Sequence, residues 1–378
     1  MKISISFLFF GVLVVTLFTM GYFTEDIEYT HPDHGNNTPY IINELQSTST
    51  QGVTSSTTQE QTTEASVQTN TATTTTQQQA PKVLVVAEKP KIDTSPPPIP
   101  SLSKSLKWGV YTGATPTAIT DFEKRVKANP DYLAYFIHWA NDNGQIRPWL
   151  KTVAGDKDRT LVIFWEASDH DIGGTNQPAY SYDSILRGDH DAYIENFAKQ
   201  VKSYKDPIIL IPFSELNGNW TPWSGTLNGN TPEKAVLAYR YIHGFFEAVP
   251  NVKFGLALNA SSVPNTPENA HDAYYPGDAY VDYIGLDGFN MNWPWESFNT
   301  LFGAGLNTIS KYGKPMFIFS FASAEGEQKA SWLKDAFVQM EKYPLMEGFI
   351  YFNQDKERNW LLWSDEATLD VFNTYINK

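Results

Sequence analysis

The stretch IILIPFSELNGNWTPWSG, Ile208 to Gly225, carries no polar side chain from Ile208 to Phe213, then turns at once to serine, glutamate, asparagine, glycine and tryptophan. Continuous hydrophobicity of that kind marks a strand covered on both faces, as in a parallel sheet. Seven other runs share it: "KWGVYT" from Lys107, "LAYFIHW" from Leu133, "LVIFWE" from Leu161, "FGLALN" from Phe254, "YIGLDG" from Tyr283, "MFIFSF" from Met316 and "GFIYFN" from Gly348. Between them lie helical signatures. Ile119, Phe122 and Val126 follow Thr115-Pro116, and Ile194, Phe197 and Val201 repeat the same spacing. Thr231-Pro232 reads as an N-cap and first turn, opening a helix through Val236, Ile242 and Phe246. Eight βα units over about 270 residues predict an α/β chain with the (β/α)8 TIM-barrel architecture. A doubly wound sheet is the alternative, disfavoured because no glycine-rich phosphate loop follows the first strand.

In such a barrel, chemistry gathers where the strands end. Those ends carry Tyr111, His138, Trp139, Trp165, Glu166, Ser214, Glu215, Asn259, Asp287, Asn290, Ser320 and Asn353. Taken singly, Asp287 and Asn353 read as caps of the following helices. Glu215 differs, because the glycine and tryptophans beside it point to an open aromatic cleft.

The region before the barrel is unlike the rest. Lys2 precedes an apolar run from Ile3 to Phe23, long enough to cross a bilayer, so residues 1–23 are expected to be a signal anchor or, in second place, a cleaved signal peptide. Residues 24–103 read as a disordered Thr/Gln/Pro-rich linker or glycosylated stalk, leaving 104–378 as the folded domain, expected to be monomeric. The implied location is extracytoplasmic, membrane-anchored or secreted. With no cysteine in the chain, a disulfide framework is excluded. A net charge of −14 argues against nucleic acid as a partner and favours a neutral ligand. Scattered histidines give no metal-ligand spacing, and neither a metal nor a cofactor is expected.

Five segments together resemble the family 26 glycoside hydrolases, mostly β-mannanases with some enzymes acting on mixed-linkage β-glucans or β-xylans. They are "WGVYTG", "FWEAS", "PFSELNGNW", "YYPGDAYVDYIGLDGFN" and "FNQDKERNW", in order between Trp108 and Trp360. The resemblance implies a retaining mechanism with an acid/base glutamate after strand four, matched by Glu215, and a nucleophilic glutamate at the end of strand seven. Ser320 stands at that second position. Other departures accompany it: Ser214 replaces the histidine before the acid/base, Phe289 the tyrosine that orients the nucleophile, and Ile211 an arginine of strand four.

Retaining hydrolysis needs two carboxyls about 5–5.5 Å apart, and a serine hydroxyl cannot serve as the second. The expected function is therefore recognition of a β-linked polysaccharide or oligosaccharide by a barrel whose hydrolysis is lost. Glu166, Asn217, Asn290, Trp165, Trp220, Trp223, Trp293 and Trp295 are the expected substrate contacts. Two rivals stand beside it: an active hydrolase pairing Glu215 with Asp287 or Glu166, and a protein-interaction scaffold. Glu325, just past strand seven, is expected to cap or solvate the next helix.

Overall fold

The computed structural model describes residues 106–140, 145–155, 158–292 and 294–377. The segment 1–23, the linker 24–103 and Trp293 lie outside the described residues. Among the described residues no helix is long and apolar enough to cross a membrane.

All eight apolar runs form strands: β1 (Lys107–Tyr111), β2 (Tyr132–His138), β3 (Thr160–Glu166), β4 (Ile208–Pro212), β5 (Val252–Asn259), β6 (Tyr283–Asn290), β7 (Met316–Ser323) and β8 (Met346–Phe352). They pair in sequence order, all parallel, and β8 returns to β1, closing a barrel. The helices are α1 (Pro116–Val126), α2 (Pro148–Gly155), α3 (Tyr182–Leu186), α4 (Asp191–Tyr204), α5 (Pro232–Gly244), α6 (Phe298–Ser310), α7 (Lys329–Met340) and α8 (Glu366–Ile376). Between β5 and β6 the connection has only short 3-10 turns at Pro267–Asn269 and His271–Tyr274, so the expected regular alternation lapses there.

Local chemistry explains the helix starts. Thr115 accepts the Ala118 N–H and Thr231 the Lys234 N–H, each with proline in the first turn. Ile119, Phe122 and Val126 bury one face of α1, and Ile194, Phe197 and Val201 one face of α4. The reading of α5 needs correction. It ends at Gly244, before Phe246, and packs through Ala235, Ala238, Tyr239 and Ile242, while Val236 stays half-exposed.

Side chains alternate across the barrel wall. Tyr132, Ala134, Val162, Phe164, Ile209, Ile211, Ala257, Phe317, Phe319 and Ile350 fill the lumen, and the intervening residues pack under the helices. Phe319 stacks on Phe317 at 5.0 Å, and its ring needs Gly255 and Gly285 on the neighbouring strands. A Cβ on Gly285 would stand 2.6 Å from the Phe319 ring. The same strand then breaks its rhythm. Ile318 pairs with Leu286 but Ser320 with Asp287, so β7 carries one extra residue at Phe319. Beyond this bulge, Gly288 and Phe321 face the helices, where Phe302 and Trp332 lie. Asp287 and Ser320, paired side by side, therefore share the lumen side at the mouth.

Candidate active site at the mouth of the barrel

Strand β3 delivers Glu166 and the turn after β4 delivers Glu215. The β4 chain leaves the sheet abruptly, with left-handed backbone at Phe213 (φ 61°) and Glu215 (φ 55°), an uncommon conformation for residues with a Cβ. It is held there by several bonds. The Glu215 N–H reaches the Ala257 carbonyl at 3.0 Å, and the Gly218 N–H reaches back to the Glu215 carbonyl at 2.8 Å. Trp220 lies over Gly218, where a Cβ would come within 2.7 Å of the indole, and its N–H donates to Glu215 Oε2. This accounts for the glycine between two asparagines in the sequence.

Three carboxyls share one electrostatic neighbourhood. Burial pushes Glu166 up to about 8, the charge of Glu215 adds to it, and Lys356 opposes. Asp287 is raised well above the usual carboxylate range by burial and by the charges of Glu215 and Glu166, against the pull of the Ser320 backbone N–H. Glu215 is raised by burial too, but the Trp220 N–H and Lys356 favour its ionised form. Glu215 is also the more exposed of the three. Asp287 Oδ1 is buried without a hydrogen-bond partner among the described residues.

His138 at the end of β2 joins the group. Its Nδ1 lies 3.0 Å from Glu166 Oε2 and 3.0 Å from Ser168 Oγ. Burial lowers the imidazole to about 4, helped by His170 and Lys356, so His138 and Glu166 meet as a neutral acid and a neutral imidazole near pH 6. Tyr111, Phe136, Phe352 and Phe289 are in ring contact, with Trp360 against Phe289. Phe289, where the resemblance implies a hydrogen-bonding tyrosine, thus presents an apolar ring.

The family 26 model matches residues 167–366. The chain belongs to glycosyl hydrolase family 26. Its barrel is 31% identical over 284 residues to endoglucanase H of Acetivibrio thermocellus, covering 71% of this chain and 30% of that protein. It is 36% identical over 87 residues to a mannan endo-1,4-beta-mannosidase of Bifidobacterium adolescentis, covering 23% of this chain and 8% of the other. The chain thus spans under a third of the length of either relative. Among solved structures, the catalytic domain of the Bacillus sp. JAMB-750 GH26 endo-beta-1,4-mannanase superposes with a TM-score of 0.55 at 13% identity, over 72% of this chain and 84% of that one, a likeness of fold.

Within this family 26 barrel, the residues singled out from sequence separate into two groups. Glu166, Glu215 and Ser320 come together at the mouth, with Trp220 43% exposed beside them. Others are tied up in the fold. Trp165 is fully buried between Phe197 and Tyr193, with its N–H on the Tyr193 hydroxyl, and Trp223 is 3% exposed, its N–H on the Ser214 carbonyl. Neither offers a face to a sugar. Asn217 clamps the β4 turn to β5, accepting the Asn259 N–H at 2.7 Å and donating to the Asn259 carbonyl and Ser262 Oγ. Asn290 accepts the Asn292 and Glu296 N–H groups, which shapes the β6 loop, and Trp295 is half-buried against the core. Ser214 is buried, and Ile211 sits in the lumen against Gly255.

The cap readings also change. Asp287 caps no helix, since α6 is capped by Ser297, and Asn353 instead joins Thr112 to the Leu362 N–H while Asp365 caps α8. Glu325 accepts the Asn359 N–H and ties the loops after β7 and β8 together. Lys356, inside the FNQDKERNW segment after β8, was not among the residues singled out from sequence, and only the fold brings its charge near Glu166 and Glu215.

Proposed function

We propose that this family 26 barrel binds a β-linked glycan along its mouth and does not hydrolyse it by the retaining route. The observation that carries the reading is Ser320 paired with Asp287 on the lumen side, at the place the resemblance reserves for a nucleophile. A hydroxyl there offers no charge to an oxocarbenium-like centre, and among the described residues no imidazole is bonded to it to activate it. The exposed rim supports binding. Ile172, Trp220, Val263 and Met291 are exposed large apolar residues on the consecutive loops after β3, β4, β5 and β6, a surface suited to the apolar faces of sugar rings. The substrate class follows the relatives, whose names point to glucan and mannan. The apolar segment 3–23 and the Thr/Gln/Pro-rich linker support presentation outside the cytoplasm on a membrane.

A second reading is favoured by the buried carboxyl of Asp287: an inverting hydrolase with Glu215 as acid and Asp287 as base for water. It asks for an ionised Asp287, whose carboxyl burial and the charges of Glu215 and Glu166 push well above the usual carboxylate range. Calorimetry with manno-, cello- and xylo-oligosaccharides, beside turnover of aryl β-glycosides, separates the readings. Heat without turnover is the expected pair. Turnover abolished by Asp287→Asn would establish the inverting enzyme, and neither heat nor turnover would leave a scaffold.

A further inference from the structure

Resting on the reading that the cleft binds a β-linked glycan, we propose that the glycan it takes is cationic: a chain of β-linked 2-amino sugars whose ammonium groups answer the carboxyls of the mouth. A neutral sugar has no charge to set against those carboxyls. The mouth itself is short of positive charge. The connections after β3, β7 and β8 carry Asp169, Asp171, Glu325, Glu327, Asp355 and Glu357, and their only lysine and arginine are Lys356 and Arg358. Lys356 is already paired, its Nζ 2.9 Å from Glu357 Oε1. At the opposite end of the barrel the signs alternate, Lys127 with Asp131, Lys205 with Asp206 and Lys253 with Asp282. The excess of acid is therefore a property of the mouth.

The second observation lies deeper. Glu166 from β3, Glu215 from the turn after β4 and Asp287 from β6 act on one another electrostatically, and no helix cap or ion pair occupies Asp287. Asp287 is only 2% exposed, and its Oδ1 is buried with no hydrogen-bond partner among the described residues. A polar atom left so carries a cost that a nearby cation relieves. Burial and mutual repulsion push Glu166 and Asp287 up, so in the empty mouth protons do the work of the missing positive charge. An ammonium brought among them takes that work over, and the low-dielectric walls of the mouth strengthen its field.

The layout of the acid favours a polymer of amines over a metal ion. Among the described residues no three side chains of His, Asp or Glu converge where one metal ion could be held. Spread carboxyls call for spread charge, and an amino-sugar chain carries one ammonium on every ring. Sugar face and carboxylate also adjoin here. Trp220, 43% exposed, offers its indole to a pyranose while its N–H holds Glu215 Oε2, so a ring stacked on Trp220 brings its amine toward the acid.

The test is calorimetry on the full chain with β-linked hexamers of glucosamine, N-acetylglucosamine, glucose and mannose, in mildly acidic buffer where the amines are protonated. The glucosamine hexamer is expected to bind at least about tenfold tighter than the other three, a preference that shrinks as salt is added. Its binding is also expected to release protons, seen as heat that varies with the ionisation enthalpy of the buffer. Asp287→Asn and Glu166→Gln are each expected to cut the preference several-fold. Glu247→Gln, which removes the same charge at the opposite end of the barrel, is expected to leave it as it is. If the Asp287 variant does not fold, the Glu166 variant and the proton release keep the proposal exposed. Glucose or mannose hexamer binding as tightly as glucosamine hexamer overturns the amine proposal and leaves the glycan reading standing, whereas no heat from any hexamer overturns both. Spermine binding as tightly as the glucosamine hexamer overturns the assignment to a sugar chain, and a preference that survives both mouth variants overturns its place.

Discussion

Trp220 and Trp223 stand three residues apart in one loop and do opposite work. The first lies open beside Glu215 and the second is sealed under the loop with its N–H on Ser214. Trp220→Ala is expected to weaken oligosaccharide binding about tenfold with little change in melting temperature, since one aromatic stack contributes roughly 1 kcal/mol beyond its area. Trp223→Ala is expected to cost about 3–5 kcal/mol of stability, measured by denaturant unfolding, because it opens a cavity in packed core. Equal effects of the two on stability would contradict this division. Ser320 invites the complementary experiment. Ser320→Glu alone is expected to restore little hydrolysis of aryl β-glycosides, because Phe289 packs on Phe352 and Trp360 and has no hydrogen to give a carboxylate. Adding Phe289→Tyr and Ser214→His is expected to raise the rate by more than the product of the single gains, since groups acting as a unit are not additive. A triple variant no faster than Ser320→Glu would show that the departures are unconnected.

At the scale of elements, the loop after β8 is held by a buried cation. Lys329, at the start of α7 and 0% exposed, donates to the Asn359 and Leu361 carbonyls and to Ser364 Oγ. These three acceptors belong to the segment that follows Lys356, the charge favouring ionised Glu166 and Glu215. Replacing Lys329 by Met leaves buried acceptors unpaired, and a loss of about 2–4 kcal/mol is expected in chemical denaturation. Hydrogen exchange at Leu361 and Leu362 is expected to speed up in the same variant. Protection unchanged at those amides would mean that the loop is held by other contacts. The β7 bulge is the other decisive element, because without its extra residue the side chain after Phe319 would face the helices.

Across the whole molecule the buried titrating groups set a pH profile. Glu166 is raised from 4.5 to about 8, so between those values the folded state holds more protons than the unfolded chain, and stability falls as pH rises. His138, lowered from 6.5 to about 4, works in the opposite sense between pH 4 and 6.5, where stability rises with pH. The two oppose each other up to about 6.5, and from there to about 8 the carboxyls act alone. The melting temperature is expected to decline over pH 6.5–8 and to decline less in Glu166→Gln, which keeps a donor toward His138; an identical slope in that variant would refute the assignment. The segment before the barrel makes a separate prediction. The full chain is expected to sediment with membranes and to release a folded 104–378 fragment on limited proteolysis within 45–100. Recovery of the intact chain from the soluble cytoplasm would overturn the proposed location.

Hydrophobic runs and cap residues were enough to read eight strands, closure into a barrel, two of the helical faces and Glu215, because each is written in neighbouring residues whose chemistry acts locally. Which side a strand-end residue faces was not written there. Parity along β7 points Ser320 toward the helices until the bulge at Phe319 shifts it by one, and that shift arises from pairing with β6, distant in sequence. For the same reason Asp287 read as a cap, when its carboxyl lies in the mouth among Glu166 and Glu215. Tryptophans were the least legible of all. Trp165, Trp220 and Trp223 have the same side chain, and only the packing of α4 and the fold of the β4 loop decided that Trp220 alone of the three reaches solvent.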